Sequence, residues 1–319
     1  MSEHEREAGA DARVRPAAAP ATRGRSGAVH DLGYKRYLGS RRALATRWRV
    51  IVRNQVAFAW QGFWRYKSWL GGAVATTLVS AALLYLASHQ VIKQITRDGL
   101  DLTVAAEIVP RAFEWYARAA FIVTLTVASS VVAIDLKLGA FTFYFSRPVR
   151  PIDYVLGKLG GVLLLMGFLL IAGPLALTLL NLGLSENTDD LIDNLRLVPK
   201  ALLVGAVATV AYAAIPLGVS ALSTNRRHTV AIWGTFYFLI GNMALLVAKA
   251  SDNPTLAALD VPTAVSSLAM QVFDAHVLSF GRPPSVTASI VSLLAMSAAG
   301  IAVMWARVRS HEGTGVGGG

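Results

Sequence analysis

The sequence has no cysteine and little charge. Of its 319 residues, 15% are charged and 54% are hydrophobic, whereas about 25% of the residues in soluble domains are charged. Without cysteine the chain has no disulfides, no thiolate metal ligands and no cysteine nucleophile. The low charge and the long apolar runs together predict a membrane protein.

Catalytic and nucleotide-binding patterns are also missing. The six histidines are scattered through the chain without the spacing of metal ligands. The segment "GKLGG" at 157–161 lacks the G-x-x-x-x-G-K-[ST] consensus of a phosphate loop and follows no strand. We therefore expect no enzymatic activity, no metal and no cofactor bound by this chain itself.

Six apolar segments are long enough to cross a hydrocarbon core of ~30 Å as helices. They lie at about 70–88, 117–134, 155–182, 201–222, 229–248 and 287–305. No Asp or Glu falls inside these segments as drawn, which disfavours ion coupling through an intramembrane carboxylate. We predict an all-α membrane protein with six transmembrane helices.

Basic residues alternate between the two sides of such a topology. Residues 41–67 contain seven Lys or Arg and no acid, and the loops after the second and fourth segments are also basic. In the other three loops, acids match or outnumber the basic residues. The positive-inside rule therefore predicts that both termini are cytoplasmic. The net charge of +11 indicates topology and not a surface for nucleic acid.

The ends of the chain differ from its apolar centre. Composition predicts a disordered cytoplasmic tail at 1–40 and a flexible cytoplasmic tail at 309–319, which leaves 41–308 as the membrane domain. Apolar side chains recur at helical spacing over 44–67 and predict an amphipathic helix in the cytoplasmic membrane interface. Its expected lipid anchors are Trp48, Phe63 and Trp64. The alternative is an ordinary basic flank of the first span.

Two smaller patterns concern packing. Gly157 and Gly161 form a G-x-x-x-G motif, which allows another helix to approach closely. The segment 262–280 is amphipathic and predicts a short helix that rests at the outer face.

The stretch after the second span reads "VVAIDLKLGAFTFYFSRPVRPIDYVLGKLGG". Asp135, Gly139, Ser146-Arg147-Pro148 and Gly157-Lys158 match in order an acidic residue, a glycine turn, a Ser-Arg-Pro element and a Gly-Lys that opens the third span. In these features the chain resembles the permease subunits of ABC-2 type exporters. It departs from that pattern at Asp135, where glutamate is more usual, and at Ala140, where threonine is usual.

The resemblance implies a function and partners. It implies a six-helix permease of a bacterial cytoplasmic (inner) membrane that forms the translocation path with a second permease copy or a paralogous permease. ATP would be hydrolysed by a separate ABC ATPase, which would dock on the 135–154 loop through a short coupling helix. The residues expected to act there are Asp135, Gly139, Phe141, Phe143, Phe145, Ser146, Arg147, Pro148 and Arg150.

Other interpretations of the sequence stay open. The loop aromatics also fit an interfacial belt in contact with lipid. For the whole chain, the alternatives are an ion-coupled carrier or channel and a membrane anchor of a larger assembly that transports nothing.

Overall fold

The computed structural model describes residues 46–61, 67–88, 104–146, 149–185, 187–275 and 282–312. These residues form helices and connecting turns, and no strand occurs among them. The α-helices are α1 (Trp48–Gln61), α2 (Ser68–Ser88), α3 (Val104–Val127), α4 (Val131–Lys137), α5 (Ala140–Phe145), α6 (Pro151–Gly167), α7 (Gly173–Gly183), α8 (Thr188–Leu195), α9 (Leu197–Ser220), α10 (Arg226–Thr235), α11 (Gly241–Ala250), α12 (Val261–Val272) and α13 (Val286–Glu312).

Five helical segments are long and apolar enough to cross a membrane. They are Ile108–Lys137, Pro151–Gly183, Leu191–Ser220, Arg226–Ala250 and Val286–Glu312, and they coincide with the second to sixth predicted spans. The first predicted span coincides with α2, in which Leu70–Leu86 forms a shorter apolar helix. The structure is thus that of an all-α, multi-pass membrane protein, and the sixth crossing stays a prediction.

Wide turns interrupt two of these segments. The π-helical turn Phe168–Ala172 lies directly before the Gly173-Pro174 pair that begins α7. Proline cannot donate a backbone hydrogen bond and collides with the preceding turn of an α-helix, and a π turn provides the extra room. A second π turn, Phe236–Ile240, joins α10 to α11. Both spanning segments therefore remain helical across these π turns.

The second spanning segment differs from its predicted bounds. The helix begins before residue 117, so Glu114 lies on it, one turn from Arg118, with which it forms an ion pair. The spanning segment begins nine residues earlier than predicted, at Ile108, and contains Glu114 and Asp135. The acid-free span drawn from the sequence was therefore wrong, because the apolar window began too late and ended too early.

The centre of the fold is α9, whose surface is buried against α3, α6, α12 and α13. Its closest neighbour is α13: a Cβ added at Gly300 would lie 2.6 Å from the backbone oxygen of Ala214. Gly218 meets the backbone of Gly300 in the same way. Elsewhere in the core, Trp233 Nε1 donates to Thr124 Oγ1 at 2.9 Å. Small residues thus let α9 and α13 touch backbone to backbone.

The G-x-x-x-G motif holds α1 against α6. A Cβ at Gly157 would lie 2.5 Å from Cβ of Ile51, and a Cβ at Gly161 would lie 2.6 Å from Cγ of Gln55. Both helices advance by four residues between these contacts, so α1 runs along α6 in the same direction. Its placement in the membrane interface stays a prediction, and Phe63 and Trp64 lie outside the described residues.

Two boundaries also differ from the sequence predictions. Helix α12 (Val261–Val272) is shorter than the amphipathic segment 262–280 and packs near the beginnings of α3, α9 and α13, so its placement at the outer face stays a prediction. Helix α13 continues to Glu312, past the predicted boundary at residue 308. The predicted tail at 1–40 and the last residues of the C-terminal tail lie outside the described ranges.

Candidate functional site

The spanning segment Ile108–Lys137 contains a bend that is fixed from another helix. Residues 128–130 turn the chain between α3 and α4. The Ser220 hydroxyl, at the end of α9, accepts hydrogen bonds from the amides of Val132 at 2.9 Å and Ala133 at 3.1 Å. These are amides of the first turn of α4, which have no partner within that helix. The start of α4 is therefore attached to the end of α9.

A glycine sets the turn between α4 and α5. Gly139 has φ of 63°, in the left-handed region, where a side chain would be strained. Its carbonyl oxygen accepts from the Thr142 hydroxyl at 2.8 Å and from the Thr142 amide at 3.1 Å. The glycine that the sequence placed in this turn is thus the residue that reverses the chain into α5.

A buried ion pair joins the two ends of the loop. Asp135 Oδ2 lies 2.8 Å from Lys158 Nζ on α6 and accepts a hydrogen bond of 2.7 Å from the Tyr154 hydroxyl. The Lys158 side chain is 9% exposed and that of Asp135 is 15% exposed. The ammonium group of Lys158 thus neutralises Asp135 inside the protein.

The aromatic residues of α5 divide into an inner and an outer set. Phe141 is 5% exposed and contacts Phe145, Tyr154 and His311, with ring centroids 5.8, 5.0 and 5.5 Å away. Because His311 belongs to α13, the inner face of α5 packs on two different helices, α6 and α13. Phe141 was expected to contact a partner protein, but in this structure its ring is occupied within the chain.

The outer face of α5 points away from the protein. Phe143 is 75% exposed and Leu138, in the preceding turn, is 70% exposed. Ser146 is also exposed, and its hydroxyl donates to the carbonyl of Phe143 at 3.1 Å. Arg147 and Pro148 lie outside the described residues. Phe143 on α5 and Leu138 in the turn before it are therefore exposed large apolar side chains beside the anchored face of a short helix.

The loop ends where α6 begins, and the first turn of α6 is capped. The amide of Arg150 donates to Asp153 Oδ2 at 3.1 Å, and Pro151 occupies the first turn of α6. This arrangement satisfies an amide that the helix leaves unpaired. The Arg150 side chain is exposed and forms no ion pair with a described residue.

A second polar region lies toward the other end of α3. A cavity of about 580 Å³ between α3, the π turn at 236–240 and α12 is lined by Arg111, Glu114, Arg118 and Asp260. Asp260 is 5% exposed, and its Oδ2 accepts from the Thr263 amide at 3.1 Å as the N-cap of α12. Burial raises the pKa of the Asp260 carboxyl above its ordinary value of 3.8. No described residue forms an ion pair with it.

Among the described residues, no group of three or more His, Cys, Asp or Glu side chains is placed to hold a metal ion. No family model matches this chain, and no curated protein matches it significantly.

The structure brings together some of the predicted loop residues and separates others. Asp135, Phe141 and Phe145 meet on the inner side of the loop, whereas Phe143, Ser146 and Arg150 are exposed. Sequence reasoning missed the partners of the inner set, which are Tyr154, Lys158 and His311, and it missed Ser220, the partner of the α4 amides. One signal was present: Tyr154 and Lys158 are four residues apart, so they share a face of α6. A lone lysine between apolar residues on that face indicates a buried acid nearby.

Proposed function

We propose that this chain is the membrane-spanning permease subunit of an ABC-2 type ATP-driven exporter. The observation that carries the proposal is the asymmetry of α5, a short helix with one face anchored and the other exposed. The proposed topology has six crossings, with α2 as the first, and both termini in the cytoplasm of a bacterial inner membrane. Two permease copies, or this chain and a paralogous permease, form the translocation path.

The exposed face of α5 is the proposed docking surface for the ATPase subunit. Phe143 and Leu138 offer large apolar area, and aromatic side chains with few rotatable bonds are common anchors at the centre of protein interfaces. Arg150 is exposed on the same loop, where it is available to an acidic group of the partner. The ATPase binds and hydrolyses ATP, whereas this chain does neither.

The inner face of α5 is the proposed transmission element. A displacement of α5 reaches α6 through the Phe141–Tyr154 contact, and it reaches α13 through Phe141 and His311. Asp135 and Lys158 keep α4 attached to α6 while this happens. ATP-driven closure of the ATPase subunits would thus move at least two spanning helices.

Copurification with candidate ATPase subunits tests the docking surface. We expect Phe143→Ala to weaken docking by roughly 2 kcal/mol or more, about thirtyfold in affinity, while leaving the thermal stability of the permease unchanged. The matched control is Leu222→Ala, because Leu222 is also an exposed apolar residue, 56% accessible, in the turn after α9.

The outcomes separate the candidate functions. Wild-type docking and ATP-driven transport by the Phe143→Ala/Leu138→Ala variant would refute the docking surface. ATPase binding without movement of any cargo would favour a membrane anchor. Micromolar ATP binding by the purified chain alone would contradict the proposal that only the ATPase subunit binds ATP.

One observation favours a second candidate, an ion-coupled carrier. The carboxylates of Glu114 and Asp260 line the same cavity, and Asp260 has no ion-pair partner among the described residues. Proteoliposomes that contain this chain without any ATPase, exposed to a pH gradient, test this candidate. Gradient-driven uptake that Asp260→Asn abolishes would favour the carrier over the exporter.

A further inference from the structure

Helix α1 and the membrane-spanning helix α6 enclose an open groove of about 570 Å³. Its apolar lining includes Val52, Val56 and Trp60 of α1 and Leu164 of α6. Arg49 and Arg53 also line it, on the same side of α1. The groove therefore combines an apolar surface with two guanidinium groups.

The positive charge of this groove is not balanced within the described part of the chain. Arg49 and Arg53 form no ion pair with a described residue, and Trp48–Gln61 contains no acid. The Arg49 guanidinium lies 5.6 Å from the Trp48 ring centroid, which restricts its position. Residues four apart on a helix are neighbours at roughly 5–6 Å, so both guanidinium groups can reach one anion. Guanidinium groups bind phosphate through paired hydrogen bonds.

The charge and the apolar surface are ordered along the membrane-spanning helix. Because α1 runs parallel to α6, Arg49 and Arg53 lie toward the beginning of α6, and Trp60 lies further along it. Leu164 is 13 residues beyond Pro151, where that spanning segment begins, or about 20 Å at 1.5 Å per residue. The basic end of the groove is thus near the end of the spanning segment, and its apolar end is at hydrocarbon depth.

We propose that this groove is a binding site for an anionic phospholipid. Arg49 and Arg53 bind the phosphate, and one acyl chain lies along Val52, Val56, Trp60 and Leu164. A lipid fits better than a peptide, because the apolar part of the groove opens beside a membrane-spanning helix. The proposal depends on the membrane placement of the chain and not on its function as an exporter.

Native mass spectrometry of the detergent-solubilised full chain, titrated with phosphatidylglycerol, tests the site. We expect Arg49→Gln/Arg53→Gln to weaken phosphatidylglycerol binding about tenfold or more, since each charge-assisted contact is worth about tenfold. The matched control is Arg226→Gln/Arg227→Gln, which removes the same charge from the start of α10 and should leave this binding intact. Phosphatidylcholine should not compete.

A second variant separates the groove from general charge effects and from misfolding. Leu164→Trp keeps every arginine and fills the apolar end, so we expect it to weaken binding as well. Thermal unfolding of each variant shows whether it remains folded. Unchanged affinity in both the arginine and the Leu164 variants, or an equal loss in the α10 control, would overturn the proposal.

Discussion

Asp135 and Asp260 are both largely buried aspartates, yet their surroundings differ. Asp135 faces an ammonium group and a phenol, whereas Asp260 is hydrogen-bonded by Thr263 at a helix start and forms no ion pair with a described residue, although Arg111 and Arg118 line the same cavity. Asp135 links two helices, and its charge is neutralised by an ion pair. Asp260 caps a helix, and burial disfavours its charge. The same residue type thus connects elements in one region and stays open to protonation or a ligand in the other.

The largest expected effect comes from breaking the link at Asp135. Lys158→Met leaves a buried carboxylate without its cation, and removal of one member of a buried pair typically costs about 3–5 kcal/mol. We expect a drop of that size in the free energy of unfolding, measured in detergent. The Asp135→Asn/Lys158→Met double variant should lose much less. Equal losses in the single and double variants would show that the two charges do not interact.

A smaller effect is expected where α1 covers α6 one residue before Lys158. Gly157→Ala places a Cβ against Ile51, and overpacking of this kind costs about 1–3 kcal/mol. We expect lower thermal stability and faster protease cleavage within 42–67. Gly71→Ala is the control, since no atom lies within 4 Å of its added Cβ. Wild-type stability of Gly157→Ala would show that α1 does not pack closely against α6.

The burial of Asp260 predicts a pH dependence of the protein's stability. Because the folded-state pKa lies above 3.8, the folded protein binds the proton more tightly, so this group lowers stability as pH rises from about 3.8 through the folded pKa. Asp260→Asn keeps a capping side chain and should remove that dependence from thermal unfolding curves. Asp260→Ala should cost about 1 kcal/mol at neutral pH. The exposed Asp252→Asn variant should behave as wild type.

The smallest effect is expected at Arg150. Its side chain is exposed, and the backbone amide that Asp153 accepts from is kept in Arg150→Ala. Surface changes of this kind typically alter stability by within about 0.5 kcal/mol, and an exposed ion pair to a partner contributes roughly 0–1 kcal/mol. Melting and ATPase docking should therefore both stay near wild type. A large loss of docking would place Arg150 at the centre of the interface.

Much of the fold follows from local patterns in the sequence. Apolar runs gave the second to sixth spans, because length and hydropathy are local properties. Gly139 marked a turn, and the Gly157/Gly161 pair marked a close approach of two helices. Both features depend on a residue without a Cβ. Glu114 shows the limit of this approach: its ion pair with Arg118 on one helix face lets the helix continue where a hydropathy window ends it.

The candidate site was less accessible from the sequence because its contacts are long-range. "FTFYF" presents aromatic residues on every side of a short helix, and only the positions of α6 and α13 decide that Phe141 is buried and Phe143 exposed. The partners of Asp135 and of the α4 amides lie on α6 and α9, far along the chain. No pattern within 131–150 identifies them.

The contact of Ser220 with the start of α4 has a mechanical consequence. Ser220 lies two residues after Gly218, where the backbones of α9 and α13 touch without intervening side chains. Such a contact has no side chain that can change rotamer to absorb a shift, so we expect α9 and α13 to move together. A displacement of α4 would then reach both helices through the two hydrogen bonds of Ser220.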